Sequence, residues 1–165
     1  MIVTKESREE MEPETRVHPL NENAVRLTKS LSAAVGLKGL GVHHVEIEPG
    51  RASTEFHFHH SEEECIYMLS GTLQLQLGEE LHTISAGDFV GHSAPGEPHV
   101  MMNVSGEPAT YLLFGQRLDE DIVDYPNIGK RLVIDGETEL LEDLPSAQAS
   151  RLHVGRDLGG RDGDL

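Results

Sequence analysis

Residues 57–64 read His57-Phe58-His59-His60-Ser61-Glu62-Glu63-Glu64, and His99 follows in Pro95-Gly96-Glu97-Pro98-His99. Successive side chains of a β-strand point to opposite faces, so His57 and His59 share a face and are able to bind one ion. Glu64 lies beyond a short turn, from which a returning strand would bring its carboxylate alongside them. A later strand would have to deliver His99. Three imidazoles and one carboxylate form a good site for a divalent first-row metal.

The polar neighbours of these residues fit a metal site less well. His60 follows His59 directly, so on a strand it faces away from the ion. Glu62 and Glu63 fall in the turn, where a carboxylate is more often solvated than bound. Glu63 is the one serious alternative to Glu64.

His92 is a candidate for catalysis rather than for metal binding. It lies late in a predicted strand, just before the Pro95-Gly96 turn that leads to His99. We expect it to face the same opening as His99, where it would act as a general base or orient an oxygen bound to the metal. The alternative is a histidine at the rim with no part in the chemistry.

Alternating side chains predict an all-β fold. From Val42 to Glu48 apolar and polar residues alternate until Pro49-Gly50, as in a half-buried strand. Further strands are predicted at short intervals, separated by turns rich in glycine and proline, over residues 54–59, 64–69, 72–77, 81–84, 88–92, 99–104 and 109–115. Many short strands with almost no helix indicate a β-barrel or a β-sandwich.

The two ends of the chain give weaker patterns. We interpret residues 1–22 as an extended arm that lies on a partner subunit, and residues 23–35 as a short helix or an irregular lead-in. After Arg117 the alternation loosens, and residues 131–134 form at most an edge strand. Residues 155–165 are rich in Gly, Asp and Arg without apolar anchors, so we expect the C-terminal tail to be disordered.

Both histidine stretches resemble the two motifs of the cupin superfamily. The first motif matches at Gly50, His57, His59, Glu64 and Gly71, and the second matches at Gly87, Gly96, His99 and Asn103. Each has one residue more than the usual spacing between its first glycine and its histidine, and the usual proline before the second histidine is Ala94, yet no ligand is lost. The spacing to Gly71 favours Glu64 over Glu63 by this resemblance.

The resemblance implies a double-stranded β-helix, or jelly roll, with the metal inside one mouth of the barrel. It divides the chain into an N-terminal arm (1–29), a cupin barrel (30–118) and a C-terminal extension (119–165). Cupins usually associate, and the open edges of a jelly roll need cover, so we expect a homodimer.

Four ligands would leave two positions of an octahedral ion open, as a catalytic metal requires. The ligand set does not choose between Fe, Mn, Ni, Zn and Cu. The expected function is therefore a metal-dependent enzyme (a dioxygenase, lyase or isomerase) acting on a small oxygenated organic molecule. The alternative is a non-catalytic module that binds or senses a metal or a small molecule, since a fold does not fix a reaction.

Composition narrows the remaining classes. The chain of 165 residues has a formal net charge of −16 and no basic cluster along its sequence, which argues against nucleic acid as a partner. It has no apolar run of about 18 residues, so no membrane span is expected. A single cysteine, Cys65, excludes an internal disulfide and fits the reducing cytoplasm.

Overall fold

The computed structural model describes residues 1–144, which form two short helices and thirteen strands. The elements are α1 (Lys5–Glu10), β1 (Glu14–His18), β2 (Asn21–Ser30), α2 (Leu31–Ala34), β3 (Leu40–Ile47), β4 (Phe58–His59), β5 (Glu64–Ser70), β6 (Thr72–Leu77), β7 (Glu80–Ser85), β8 (Phe89–His92), β9 (His99–Met102), β10 (Ala109–Gln116), β11 (Glu120–Tyr125), β12 (Lys130–Asp135) and β13 (Thr138–Asp143). The tail that the sequence predicts to be disordered lies outside the described residues. Within residues 1–144 no helix is long and apolar enough to cross a membrane.

The strands form three antiparallel sheets. Their orders are β1-β2-β3-β10-β5-β8, β13-β12-β11-β4 and β7-β6-β9. Single bridges join the edges of the sheets, including one between His57 and His99. This arrangement confirms the predicted all-β double-stranded β-helix, and it brings the histidines together at one end of the barrel.

Alternation of apolar side chains explains why these segments are strands. On β3, Val45 and Ile47 are buried, and on β6, Leu73 and Leu75 are buried, while the residues between them face outward or lie half-buried. The inward side chains of both sheets meet in one core, which contains Val45, Ile47, Ile66, Met68, Leu73, Leu75, Ile84, Met101, Ala109 and Tyr111. The core fills the barrel below the histidines and fixes their strands in register.

Gly71 makes the tight turn between β5 and β6. Its φ is +73°, and a Cβ at this position would lie 2.7 Å from the Cα of Ala109. Only glycine meets both conditions, because other residues disfavour this backbone conformation and would collide with β10. The glycine that closes the first motif is therefore required by the hairpin that follows Glu64.

The N-terminal segment differs from the expectation. A short helix or an irregular lead-in was predicted for residues 23–35, but residues 21–30 form strand β2 and only Leu31–Ala34 are helical. Pairing decides the outcome, because Thr28 pairs with Val45 of β3 and Ala24 forms a bridge with Ala52, and both residues are buried on one face of β2. The predicted extended arm contains α1 and strand β1, which pairs with β2 of its own chain. β2 also runs across the proposed boundary at residue 29, so the division into arm and barrel remains a proposal.

Two further segments were predicted wrongly in extent. In the predicted strand 54–59 only Phe58 and His59 are in a strand, because only these two residues pair with β11, at Asp124 and Val123. The loosened pattern after Arg117 contains three strands rather than one, and β11 to β13 form a sheet with β4. Residues 120–125 are thus held against the strand that carries His59.

Candidate metal centre

Four side chains converge at the end of the barrel where β4, β5 and β9 begin or end. The ligand atoms of His57, Glu64 and His99 all lie within 4.8 Å of one another. Nε2 of His99 is 3.8 Å from one carboxylate oxygen of Glu64, and Nε2 of His59 is 4.0 Å from the other. The rings of His57 and His59 are 5.1 Å apart. Three of the four residues that the sequence singled out therefore form one cluster, and His59 adjoins it through Glu64.

Each of the three histidines is oriented by a hydrogen bond from its other ring nitrogen. Nδ1 of His57 donates to the carbonyl oxygen of Glu55 at 2.9 Å, and Nδ1 of His99 lies 3.4 Å from the carbonyl oxygen of Glu97. Nδ1 of His59 donates to the carboxylate of Asp121 at 2.6 Å. With the proton held on Nδ1, the lone pair of Nε2 is free to face the common centre, as in metal-binding histidines.

Burial and charge keep His57 and Glu64 in the forms that bind metal. Burial of the ring, with the neighbouring His99, lowers the pKa of His57 to about 3. Burial alone would raise the pKa of Glu64, but its contact with His99 and the neighbouring rings of His59 and His57 lower it to about 2. At neutral pH the imidazole is neutral and the carboxylate is ionised, so a cation would displace no proton from either group.

His92 lies directly against the cluster. It is the last residue of β8 and pairs with Glu64 of the neighbouring strand β5. Its ring stacks on that of His99, with the ring centroids 3.4 Å apart and an angle of 5° between the planes. Burial and the neighbouring His99 lower its pKa to about 4. His92 is therefore a neutral imidazole at neutral pH, able to accept a proton beside the metal centre.

The centre opens into a cavity of about 60 Å³ inside the barrel. Its lining includes His57, Glu64, His92 and His99 together with Arg26 and an apolar wall. A groove of about 510 Å³ adjoins it, and Glu64 and His92 line both spaces. The cluster that could hold a metal thus lies where the cavity and the groove meet, which leaves it accessible to a small molecule.

The neighbouring polar residues take other roles. His60 turns away from the centre and contacts Asp124 at 2.9 Å, and Asp124 also accepts two hydrogen bonds from Arg131. Glu63 is exposed. Glu62 accepts a hydrogen bond from the backbone N–H of Leu118 at 2.7 Å.

Met101 lies two residues after His99 on β9 and lines the apolar wall of the cavity. Cys65 lines the groove and is half-buried, and Tyr67 points outward with 43% of its surface exposed.

Asp121 is the residue of the site that sequence reasoning missed. Its carboxylate is buried, and it accepts hydrogen bonds from His59 and from the backbone N–H of Ser61 at 2.9 Å. It lies 62 residues from His59 in the chain, and only the pairing of β11 with β4 brings the two together. Ligand atoms of His59, Glu62 and Asp121 also lie within 4.8 Å of one another. We do not interpret this group as a second metal site, because Nδ1 of His59 already donates a hydrogen bond to Asp121.

We expect Asp121→Asn to weaken metal binding by about 10- to 100-fold, the usual effect of losing a carboxylate that orients a ligating histidine. The amide keeps the shape of the side chain but removes the charge that holds the proton on Nδ1 of His59. Metal titration monitored by calorimetry measures the change, and Asp119→Asn, at an exposed position outside the contact, serves as the matched control. Equal affinity in Asp121→Asn and the wild type would show that Asp121 does not support a metal ligand.

The comparisons with known proteins agree with this fold. The Cupin domain family matches residues 43–115. A crystal structure of a candidate sugar phosphate isomerase from Acidithiobacillus ferrooxidans is 44% identical, with a TM-score of 0.85, over 86% of this chain and 91% of that chain. A sugar phosphate isomerase of the cupin superfamily from Silicibacter pomeroyi is 26% identical, with a TM-score of 0.74, over 79% of this chain and 88% of that one.

A more distant structure shares the fold alone. A protein from Thermotoga maritima, predicted to be an oxalate decarboxylase, is 22% identical with a TM-score of 0.57, over 72% of this chain and all of that one. No curated protein sequence matches this chain significantly.

Proposed function

Because the chain belongs to the cupin superfamily, we propose that it is a metal-dependent isomerase of a small sugar phosphate. The observation that carries this proposal is the 44% identity to a candidate sugar phosphate isomerase over 91% of that protein's length. It narrows the wider class expected from the sequence, a metal-dependent dioxygenase, lyase or isomerase.

The metal would be held by His57, His59, Glu64 and His99. The donor set fits one divalent transition ion, because three neutral imidazoles and one carboxylate suit Fe, Mn, Ni, Zn and Cu alike. When bound, the ion supplies Lewis-acid polarisation of a carbonyl and its neighbouring hydroxyl group. The carboxylate of Glu64 offsets part of its charge, and the buried ring of His57 limits access of water to that side.

His92 is the group that we assign to proton transfer. Interconversion of an aldose and a ketose moves one hydrogen from C2 to C1 and one proton from the hydroxyl on C2 to the oxygen on C1, and it needs no external oxidant. The neutral imidazole of His92 would accept the proton from C2, next to the carbonyl, and return it to C1, while the hydroxyl proton passes between the two oxygens through solvent. Its pKa of about 4 makes it a weak base, so the transfer depends on a carbonyl that is already polarised.

The test is isomerisation of sugar phosphates by protein loaded with each candidate ion. Metal-free protein is reconstituted with Fe(II), Mn(II), Ni(II), Zn(II) or Cu(II) and incubated in deuterated water with a panel of aldose phosphates. NMR follows both the ketose product and the deuterium gained next to the carbonyl. We expect metal-dependent turnover with no uptake of dioxygen. Dioxygen uptake would identify an oxygenase, and binding without any exchange or product would favour the non-catalytic module.

We further propose that the protein is a cytoplasmic homodimer. Cys65 is a free thiol, which fits a reducing cytoplasm. Strand β1 lies at the edge of the six-stranded sheet, and within residues 1–144 it pairs on one side only, with β2. Such an edge pairs readily with another chain. Light scattering at micromolar concentration is expected to give twice the 18.1 kDa mass of the chain, whereas the mass of one chain would rule the dimer out.

A further inference from the structure

A group of polar residues on the inner faces of β2 and β3 has no role in the metal centre. Arg26 and Thr28 lie on β2 and share a face with the buried Ala24. His43 lies on β3 and shares a face with Val45 and Ile47 of the core. Arg117 follows the end of β10 and reaches the same region. The four residues are dispersed in the sequence, which explains why no basic cluster is visible there.

Two of these residues are cations without an anion. Among residues 1–144, neither Arg26 nor Arg117 forms an ion pair, although Arg8, Arg16 and Arg131 do. Arg26 instead lines, together with Tyr111, the cavity that holds the metal ligands. A half-buried guanidinium without a counter-ion, in a chain with a net charge of −16, indicates a place for an anionic ligand.

The remaining two residues carry unsatisfied polar atoms. Oγ1 of Thr28 and Nδ1 of His43 are buried and have no hydrogen-bond partner, and within the described chain they are the only such side-chain atoms. Thr28 pairs with Val45, so it is a diagonal neighbour of His43 on the same face, about 7–8 Å away. Buried polar groups normally have partners, so two orphaned atoms beside two unpaired cations suggest that a ligand with oxygen acceptors completes them.

Gly41 lets two of these side chains meet over the backbone of β3. A Cβ on Gly41 would lie 3.3 Å from both Nε of Arg117 and Nε2 of His43, so the absence of a side chain there allows the two groups to pack together at this position. Gly41 pairs with Gly115, and Gly115 pairs with Glu64. Two strand spacings separate Gly41 from Glu64, which is about 10 Å. A chain of a few carbons bridges that distance.

We propose that Arg26, Thr28, His43 and Arg117 bind the phosphoryl group of the substrate and thereby place its carbonyl end at the metal centre. This assignment rests on the proposed function, because it takes a sugar phosphate as the substrate. Guanidinium groups suit a phosphate because several N–H donors point at its oxygens in one plane. The phosphate oxygens would also provide acceptors for Thr28 and for His43 when its Nδ1 carries the proton.

The first test measures binding of inorganic phosphate by calorimetry, with and without the metal. We expect binding to persist after chelation, and Arg26→Gln and Arg117→Gln each to weaken it by about 10- to 100-fold, the loss of a hydrogen bond to a charged group. Thr28→Val, which nearly preserves the side-chain shape, should weaken binding less and leave the melting temperature unchanged or higher. Arg51→Gln, at an exposed turn, is the matched control and should bind like the wild type.

Several results would overturn the phosphate site. Phosphate that binds only in the presence of metal would be a metal ligand, and equal binding in Arg26→Gln, Arg117→Gln and the wild type would remove the two arginines from the site.

The second test separates this site from the proposed reaction. If sugar phosphates are isomerised, Arg26→Gln should raise KM for them by 10-fold or more and leave KM for the unphosphorylated sugar unchanged, and a uniform effect on both would contradict the site. If no sugar phosphate is isomerised but phosphate still binds through the arginines, the reaction is wrong and the anion site stands.

Discussion

Replacing His57, His59 or His99 with alanine, or Glu64 with glutamine, is expected to remove most of the metal from the purified protein. In the structure the three Nε2 atoms face a single carboxylate, with distances of 3.8 and 4.0 Å from His99 and His59 to Glu64. Loss of one ligand leaves an incomplete set and should lower affinity by more than about 100-fold, because loss of a supporting contact alone costs about 10- to 100-fold. Glu64→Gln removes the negative charge that balances the cation while it keeps the shape of the side chain.

His60→Ala is the matched control for this series. His60 is adjacent to His59 but contacts Asp124, which is also held by Arg131, so its loss removes a contact outside the metal centre. We expect its metal content to equal that of the wild type. Elemental analysis of all five variants gives the stoichiometry, and circular dichroism checks that each variant folds. Loss of metal from folded His60→Ala with retention by His57→Ala would show that the ligand set is wrong.

The barrel and the residues at its open end follow from local sequence patterns. The alternation on β3, β5, β6 and β10 reflects one buried face, and this pattern survives in the structure with bounds shifted by one or two residues. His57 and His59 lie side by side, although His57 stands just outside β4 in an isolated bridge to His99. The parity argument holds because extended backbone alternates its side chains whether or not it is in a ladder.

The residues that support the site could not be predicted from the sequence, because their positions depend on pairing between segments that are distant in the chain. Asp121 reaches His59 through the pairing of β11 with β4, and no spacing in the sequence encodes that contact. β2 was misjudged for the same reason, since its strand is selected by pairing with β3 rather than by its own residues. Arg26 therefore could not be assigned to a site from the sequence, because the assignment requires that β2 is a strand of the barrel with Arg26 on its inner face.

Substitution of His92 is expected to lower kcat by about 100- to 10,000-fold, the range for loss of a positioned general base, and to leave the metal content unchanged. His92 is not among the residues that surround Glu64 as ligands, yet it stacks on His99 at 3.4 Å and lines both the cavity and the groove. It is the neutral group best placed to reach a substrate carbon beside the metal. Two different variants separate this role from a purely structural one.

His92→Phe retains a flat ring that can stack on His99 but cannot accept a proton, whereas His92→Ala loses both properties. If His92 transfers the proton, the two variants should lose kcat to a similar extent, and both should stop deuterium exchange next to the carbonyl. If the stacked ring only positions His99, then His92→Phe should keep most of the activity and His92→Ala should lose metal as well as turnover. Wild-type exchange in His92→Phe would therefore remove His92 from the chemistry, because a phenyl ring has no lone pair with which to accept the proton.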